Sequence, residues 1–302
     1  MNSPSLLEIT SSLKTMAANA AAEKQAGRTA TAVLSDTALQ GMAVDFVQGV
    51  KANSSTADEV CRAGKDMLTL ARDSLFWSVR SHLTHAGCVA LQQVHRSEGT
   101  LLRPIDLCQN WVDCTNLFIG DCNNIAAQNA MDNAQPHWNS VVATGGLREP
   151  GSTGAMNATR LRFSMLSNTL TLLDPMAESE AHPVIKEAKD IVQVGHSGEL
   201  DDVQKLASKC INHAKTASAF DTEAGHRTAL EWLAHAFSLC NLADAKTKPM
   251  QCNILCMMAS NHLAVDDKEK AILSISSLPL LLPRPHAPIH MRRKPVRSCS
   301  HS

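Results

Sequence analysis

A chain of 302 residues with 44% hydrophobic residues can fill one large core or two small ones. Its net charge of −1 gives no electrostatic reason to bind nucleic acid or an anionic membrane surface, so neither is expected as a direct partner. Six Phe, four Trp and no Tyr, beside abundant Ala, argue against a β-sandwich and for helices packed closely through small residues.

Ten cysteines occur without a C-x-x-C pair, several on apolar stripes, which reads as free thiols in a reducing compartment. The opening residues lack a basic stretch followed by a sustained apolar one, and no run reaches the roughly 18 residues of a membrane span, so a soluble intracellular protein is expected.

Taken in order, residues 1–54 form a weakly ordered or marginally helical lead, with the more periodic apolar positions at 31–50. Asn53-Ser-Ser-Thr56 supplies a break and a cap, and 57–74 and 76–94 follow as helices. Residues 107–119 and 124–133 make a hairpin around Gly120-Asp121. Residues 139–158 hold four Gly and one Pro without an apolar period, which predicts a flexible loop; the Gly-x4-Gly-Lys pattern of a phosphate cradle does not occur. Helices are predicted again over 161–173 and 184–194, the second closed by a cap at Gly195-His-Ser-Gly198. Two hairpins occupy 203–275, and beyond 276 the chain turns Pro-rich and basic with no acidic residue. That tail, 277–302, is open to three readings: a disordered basic arm, a nuclear localisation segment at 292–297, or an unrelated end produced by truncation or splicing.

The spacing within the hairpins follows the 34-residue tetratricopeptide pattern of alternating large and small residues. The best match is Trp111, Thr115, Phe118, Ala127, Met131 and Ala134. With His213 first, Ala217, Phe220, Ala229, Leu233 and Ala236 fall at the same offsets, and Trp232 joins their stripe. With Leu255 first, Ala259, His262, Ala271 and Ile275 do so. The expected fold is all-α, an α-solenoid of antiparallel helical hairpins with tetratricopeptide-like repeats over 55–276; a plain antiparallel bundle is the alternative.

No catalytic constellation stands out. Glu199, Asp201 and Asp202 sit at a helix start, where they complement the dipole. Cys252 and Cys256 read as core thiols without cationic neighbours. The His286-x3-His290 pair lacks a helix to align it. No metal and no cofactor are expected.

A stack of hairpins offers a long surface lined by the first helix of each repeat, suited to holding a peptide. By register, Gln109, Val112 and Asn116 of one repeat and Asn253, Cys256 and Ser260 of another should face that groove. No clamp of Lys and Arg is apparent among them, which counts against a carboxylate-gripping adaptor.

Ala229-x2-Trp-Leu-x2-Ala236, the helix over 252–262 and Ala264-Val-Asp-Asp-Lys-Glu-Lys-Ala-Ile272 resemble the signature region of the meiotic Zip-four family, also called the Spo-twenty-two or testis-expressed-eleven family. The segment 57–71 with Asp66-Met-Leu, and Trp111-x-Asp113, resemble its preceding segments, so the resemblance spans about 55–275. Family members are much longer, and this chain departs from them after Ile275. The resemblance implies a non-enzymatic nuclear scaffold on meiotic chromosomes, binding crossover-promoting and synaptonemal-complex proteins. The alternatives are a general cytosolic tetratricopeptide adaptor and a helical enzyme with an unrecognised site.

Overall fold

The computed structural model describes residues 6–27, 29–51, 55–72, 79–98, 102–144, 153–193, 200–242 and 247–278. Within them the chain is all-helical and has no strand. Twelve α-helices follow in order: α1 (Leu6–Gln25), α2 (Thr29–Lys51), α3 (Ala57–Arg72), α4 (Arg80–Glu98), α5 (Pro104–Gly120), α6 (Asn124–Ala143), α7 (Thr153–Leu172), α8 (Ala181–Gln193), α9 (Leu200–Ser218), α10 (Glu223–Leu242), α11 (Lys248–Ala264) and α12 (Lys268–Ser276). They pack as neighbouring pairs, α1 with α2, α3 with α4, α5 with α6, α9 with α10 and α11 with α12; successive pairs lean on one another, and α7 joins the α5–α6 pair to the α9–α10 pair. That arrangement is consistent with an α-solenoid.

Local chemistry sets the boundaries. Thr56 and Glu59 form a reciprocal box at the start of α3: the Thr56 amide donates to Glu59 Oε2 at 3.0 Å and the Glu59 amide to Thr56 Oγ1 at 3.4 Å. Pro104 opens α5, where its missing N–H costs nothing. Three hairpins share one turn. A residue in the left-handed region, Cys122, Asp221 or Asp266, is followed by one further residue and then the next helix. In all three the further residue is a cap whose side chain accepts an early amide of that helix: Asn123 from Ala126, Thr222 from Gly225 and Asp267 from Lys270.

The core is a chain of overlapping clusters with no single centre. One runs from Leu6 to Val94 through α1 to α4. A second joins Cys88 of α4 to α5, α6 and Met165 of α7, and a third joins Phe163 of α7 to α8, α9, α10 and Ile254 of α11. Helices α4 and α7 therefore give one stripe to each neighbouring cluster.

The repeat stripe around Trp111 is buried throughout: Trp111, Thr115, Phe118, Ala127, Met131 and Ala134 are all withdrawn from solvent. Thr115 satisfies its hydroxyl by donating to the Trp111 carbonyl at 2.9 Å. Ala229, Trp232, Leu233, Ala236, Ala259 and Ala271 are buried as well. Phe220 is a correction, because it is 58% exposed. The shared turn explains why. The amides of Cys122, Asp266 and Asp221 donate to Ile119, Leu263 and Ser218, which makes Ala217 the counterpart of Phe118 and His262. The first helix of that pair is thus set three residues earlier than the His213 register, and Phe220 falls on the cap position that Asp121 and Val265 occupy elsewhere.

Two further differences concern extent. The first 51 residues contribute two helices, whose Leu13 and Phe46 are fully buried in the first cluster beside Met67 and Leu83. The loop expected at 139–158 is shorter, since α6 continues to Ala143 and α7 begins at Thr153, burying Ala155 and Ala158. Gly195–Gly198 and 279–302 lie outside the described residues.

Helix α8 is short and packs weakly on α7, and polar ties hold this part of the stack. Arg162 donates through Nε and Nη2 to both Glu187 oxygens, at 2.5 and 2.6 Å, and lies over the Trp138 ring. Trp232 stacks on His213 at 4.6 Å and donates from Nε1 to the Pro175 carbonyl at 2.7 Å. His213 Nε2 in turn meets the Leu170 carbonyl, so one indole fixes the α7–α8 connection to α9 and α10.

Trp232→Ala is expected to destabilise the chain by about 3–5 kcal/mol, whereas Phe220→Ser should stay within about 0.5 kcal/mol of the parent. Urea unfolding of both variants checks this, and a large loss at Phe220 would contradict the turn register.

Candidate protein-binding surface

Helix α5 shows how the sequence builds the wall. Its buried sector, Leu107, Trp111, Cys114, Thr115 and Phe118, faces the neighbouring helices, which leaves Asn110, Asp113 and Asn116 together on the opposite stripe. Gln109 also stands exposed and donates from Nε2 to Asp113 Oδ1 at 2.8 Å. Val112 is a correction, because it is wholly buried. It shares a row with Cys108, whose thiol approaches Met165 Sδ of α7 at 3.8 Å, and α5 must bury that row because it packs on α7 as well as on α6.

Two depressions flank α5. The first, about 280 Å³, is bounded by Leu68, Ala71 and Arg72 of α3, Arg80 and Thr84 at the start of α4, and Asn110, Asp113, Asn116 and Leu117 of α5. The second, about 410 Å³, lies between Gln109, Arg160 and Ser164 of α7, and Asp201, Asp202 and Lys205 of α9. Within it Lys205 Nζ is already paired with Asp202 Oδ1 at 2.8 Å. The predicted groove residues Gln109 and Asn116 therefore border different depressions on the two sides of one helix. Asn253, Cys256 and Ser260 are exposed together on α11, with Ser260 Oγ donating to the Cys256 carbonyl at 3.2 Å, and they stand outside both.

Arg72, Arg80 and Asp113 are not among the residues that helical register assigns to the groove. Their one legible signal is position, a basic residue in the last turn of α3 and another opening α4. Partial withdrawal from water raises the Asp113 carboxyl, while the Gln109 hydrogen bond and the charges of Arg72 and Arg80 pull it back.

Burial pushes the thiols of Cys108 and Cys210 up to about 12 and that of Cys240 to about 11, so each stays protonated and unreactive at neutral pH. Among the described residues no three His, Cys, Asp or Glu side chains gather as a metal site, and no helix is long and apolar enough to cross a membrane.

A scan against family models, a search of curated proteins and a search of solved structures each found no match to the chain.

Burial lowers the imidazole of His137 to about 4, helped by the charges of His95 and Arg96, and burial also lowers His82, His85, His213 and His262. Each binds its proton more weakly folded than unfolded. In the window below an unperturbed value of about 6.5, the unfolded chain therefore holds more protons, and stability falls as pH falls. Asp113, with its carboxyl raised, opposes this at more acidic pH. The thermal midpoint should be lower at about pH 5 than at about pH 7.5, with His137→Gln narrowing the gap. A midpoint that rises on acidification would show that these imidazoles are not held neutral.

Proposed function

We propose that the chain is a non-enzymatic protein-binding scaffold built from tetratricopeptide-like repeats. The observation that carries this reading is the surface along α3, α4, α5, α7 and α9, where amides, charges and a few apolar side chains line two depressions on either side of α5. A peptide laid across such a wall finds donors and acceptors for its backbone as well as charges for its side chains. The tetratricopeptide assignment is supported by the buried six-residue stripe from Trp111 to Ala134 and by the recurrence of one left-handed turn between paired helices.

The meiotic setting rests on the resemblance over about 55–275, and with it the partners are crossover-promoting and synapsis proteins and the place of action is the chromosome within the nucleus. The two guanidinium groups beside the first depression favour a second reading, a cytosolic tetratricopeptide adaptor that grips acidic chain segments. Imaging the tagged chain in spread meiotic nuclei against an axis marker separates the two. Axial foci at mid-prophase are the expected result, and a diffuse cytoplasmic signal would replace the chromosome scaffold with the adaptor.

A further inference from the structure

The two depressions differ in charge balance. In the second, two cations, Arg160 and Lys205, face two carboxylates, Asp201 and Asp202, and one ion pair is already closed. In the first, two guanidinium groups, Arg72 and Arg80, face the single carboxylate of Asp113. Both arginines feel that carboxylate electrostatically, yet neither has closed an ion pair with a described residue. Asn110 and Asn116 add amide donors and acceptors to the same hollow, and the buried Thr84 forms part of its wall.

The hollow has a structural cause. Helices α1 and α3, α5 and α7, and α7 and α9 pack closely on one another, whereas α3 meets α5 more loosely, with α4 packed against both. The row of first helices is therefore wider at this point, and the hollow carries Arg72, Arg80, Asp113 and two amides beside the apolar Leu68, Ala71 and Leu117. Two forked, permanently charged donors around one cavity suit a planar or tetrahedral anion, which each can take with two parallel hydrogen bonds.

Resting on the scaffold reading above, we infer that the gap between α3 and α5 is a docking site for the anionic side chain, carboxylate or phosphate ester, of an extended peptide held across α5. Arg72 and Arg80 bind the anion, and Asn110 and Asn116 hold the adjoining peptide backbone. Asp113 sets the threshold, since its own charge competes with the ligand for the guanidinium groups. The second depression lies across a single helix, roughly 10 Å away. An extended chain covers that in about three residues, so the side chain there is a polar or basic one about three positions from the anion.

The test is fluorescence-anisotropy titration of the full chain with four labelled peptides of one Ala/Ser sequence, differing at a central position that carries Glu, phosphoserine, Gln or Lys. The expected result is at least about tenfold tighter binding of the Glu or the phosphoserine peptide than of the Gln peptide. The stronger of the two identifies the anion. That preference should disappear in Arg72→Ala and Arg80→Ala, both exposed positions, with thermal midpoints unchanged. Asp113→Asn should tighten binding of the anionic peptide severalfold, a gain that a purely structural carboxylate would not give.

Equal binding of the Gln peptide, indifference to the arginine variants, or no binding of either anionic peptide at millimolar concentration would each overturn the site. Inorganic phosphate competing as well as the phosphoserine peptide would overturn the peptide part of the inference. The scaffold reading falls or stands separately, on the location of the tagged chain.

Discussion

The structure depends on how closely its paired helices approach. At the α3–α4 crossing the two helices meet glycine to glycine: a Cβ placed on Gly64 would stand 3.2 Å from the Gly87 carbonyl oxygen, and one on Gly87 would stand 2.9 Å from the Gly64 oxygen. At the α9–α10 crossing a Cβ on Gly225 would lie 2.6 Å from the Ala217 oxygen. Elsewhere alanine does the same work, at Ala127, Ala130 and Ala134 of α6 and at Ala229 and Ala236 of α10. Backbones this near leave little room for large side chains between partners, and Trp111, Trp232 and Phe163 sit instead in the clusters that join successive helices.

From this constraint the rest follows. Where small residues bring a pair together, its helices keep spare apolar surface for their other neighbours, and the core extends as a row of clusters linked through α4 and α7. Where the row is regular, the first helices touch. Where α4 packs against both α3 and α5, a hollow opens between them, and Arg72, Arg80 and Asp113 stand around it. The candidate binding surface is therefore an outcome of helix spacing as much as of the side chains that line it.

The all-helical class, the pairing and most of the buried stripe could be read from the sequence because they depend on local periodicity. Trp111, Phe118, Ala127 and Ala134 repeat at helical intervals whatever they pack against. The misplaced residues have nonlocal causes. Val112 is buried because α5 touches α7, a contact between elements that are not consecutive. Phe220 is exposed because Asp221 adopts the left-handed conformation three residues earlier in the stripe than the spacing implied, and an aspartate is a weaker signal for that than a glycine. Arg72 and Arg80 come together across a connection whose path their spacing does not reveal. The start of the chain was underestimated because its apolar residues are mostly Ala, Leu and Met in a weak stripe, and their burial is supplied by α3 and α4.

The close approach of paired helices is tested most directly by the thermal midpoint of Gly87→Ala in the full chain. In a helix with free space around it, alanine in place of glycine stabilises by about 1 kcal/mol. Here the added methyl meets a backbone oxygen and the Leu68 side chain, overpacking that costs about 1–3 kcal/mol, so the account predicts a lower midpoint despite the better helix former. A raised midpoint would mean that α3 and α4 stand farther apart than described, and the spacing argument for the whole stack would fail with it.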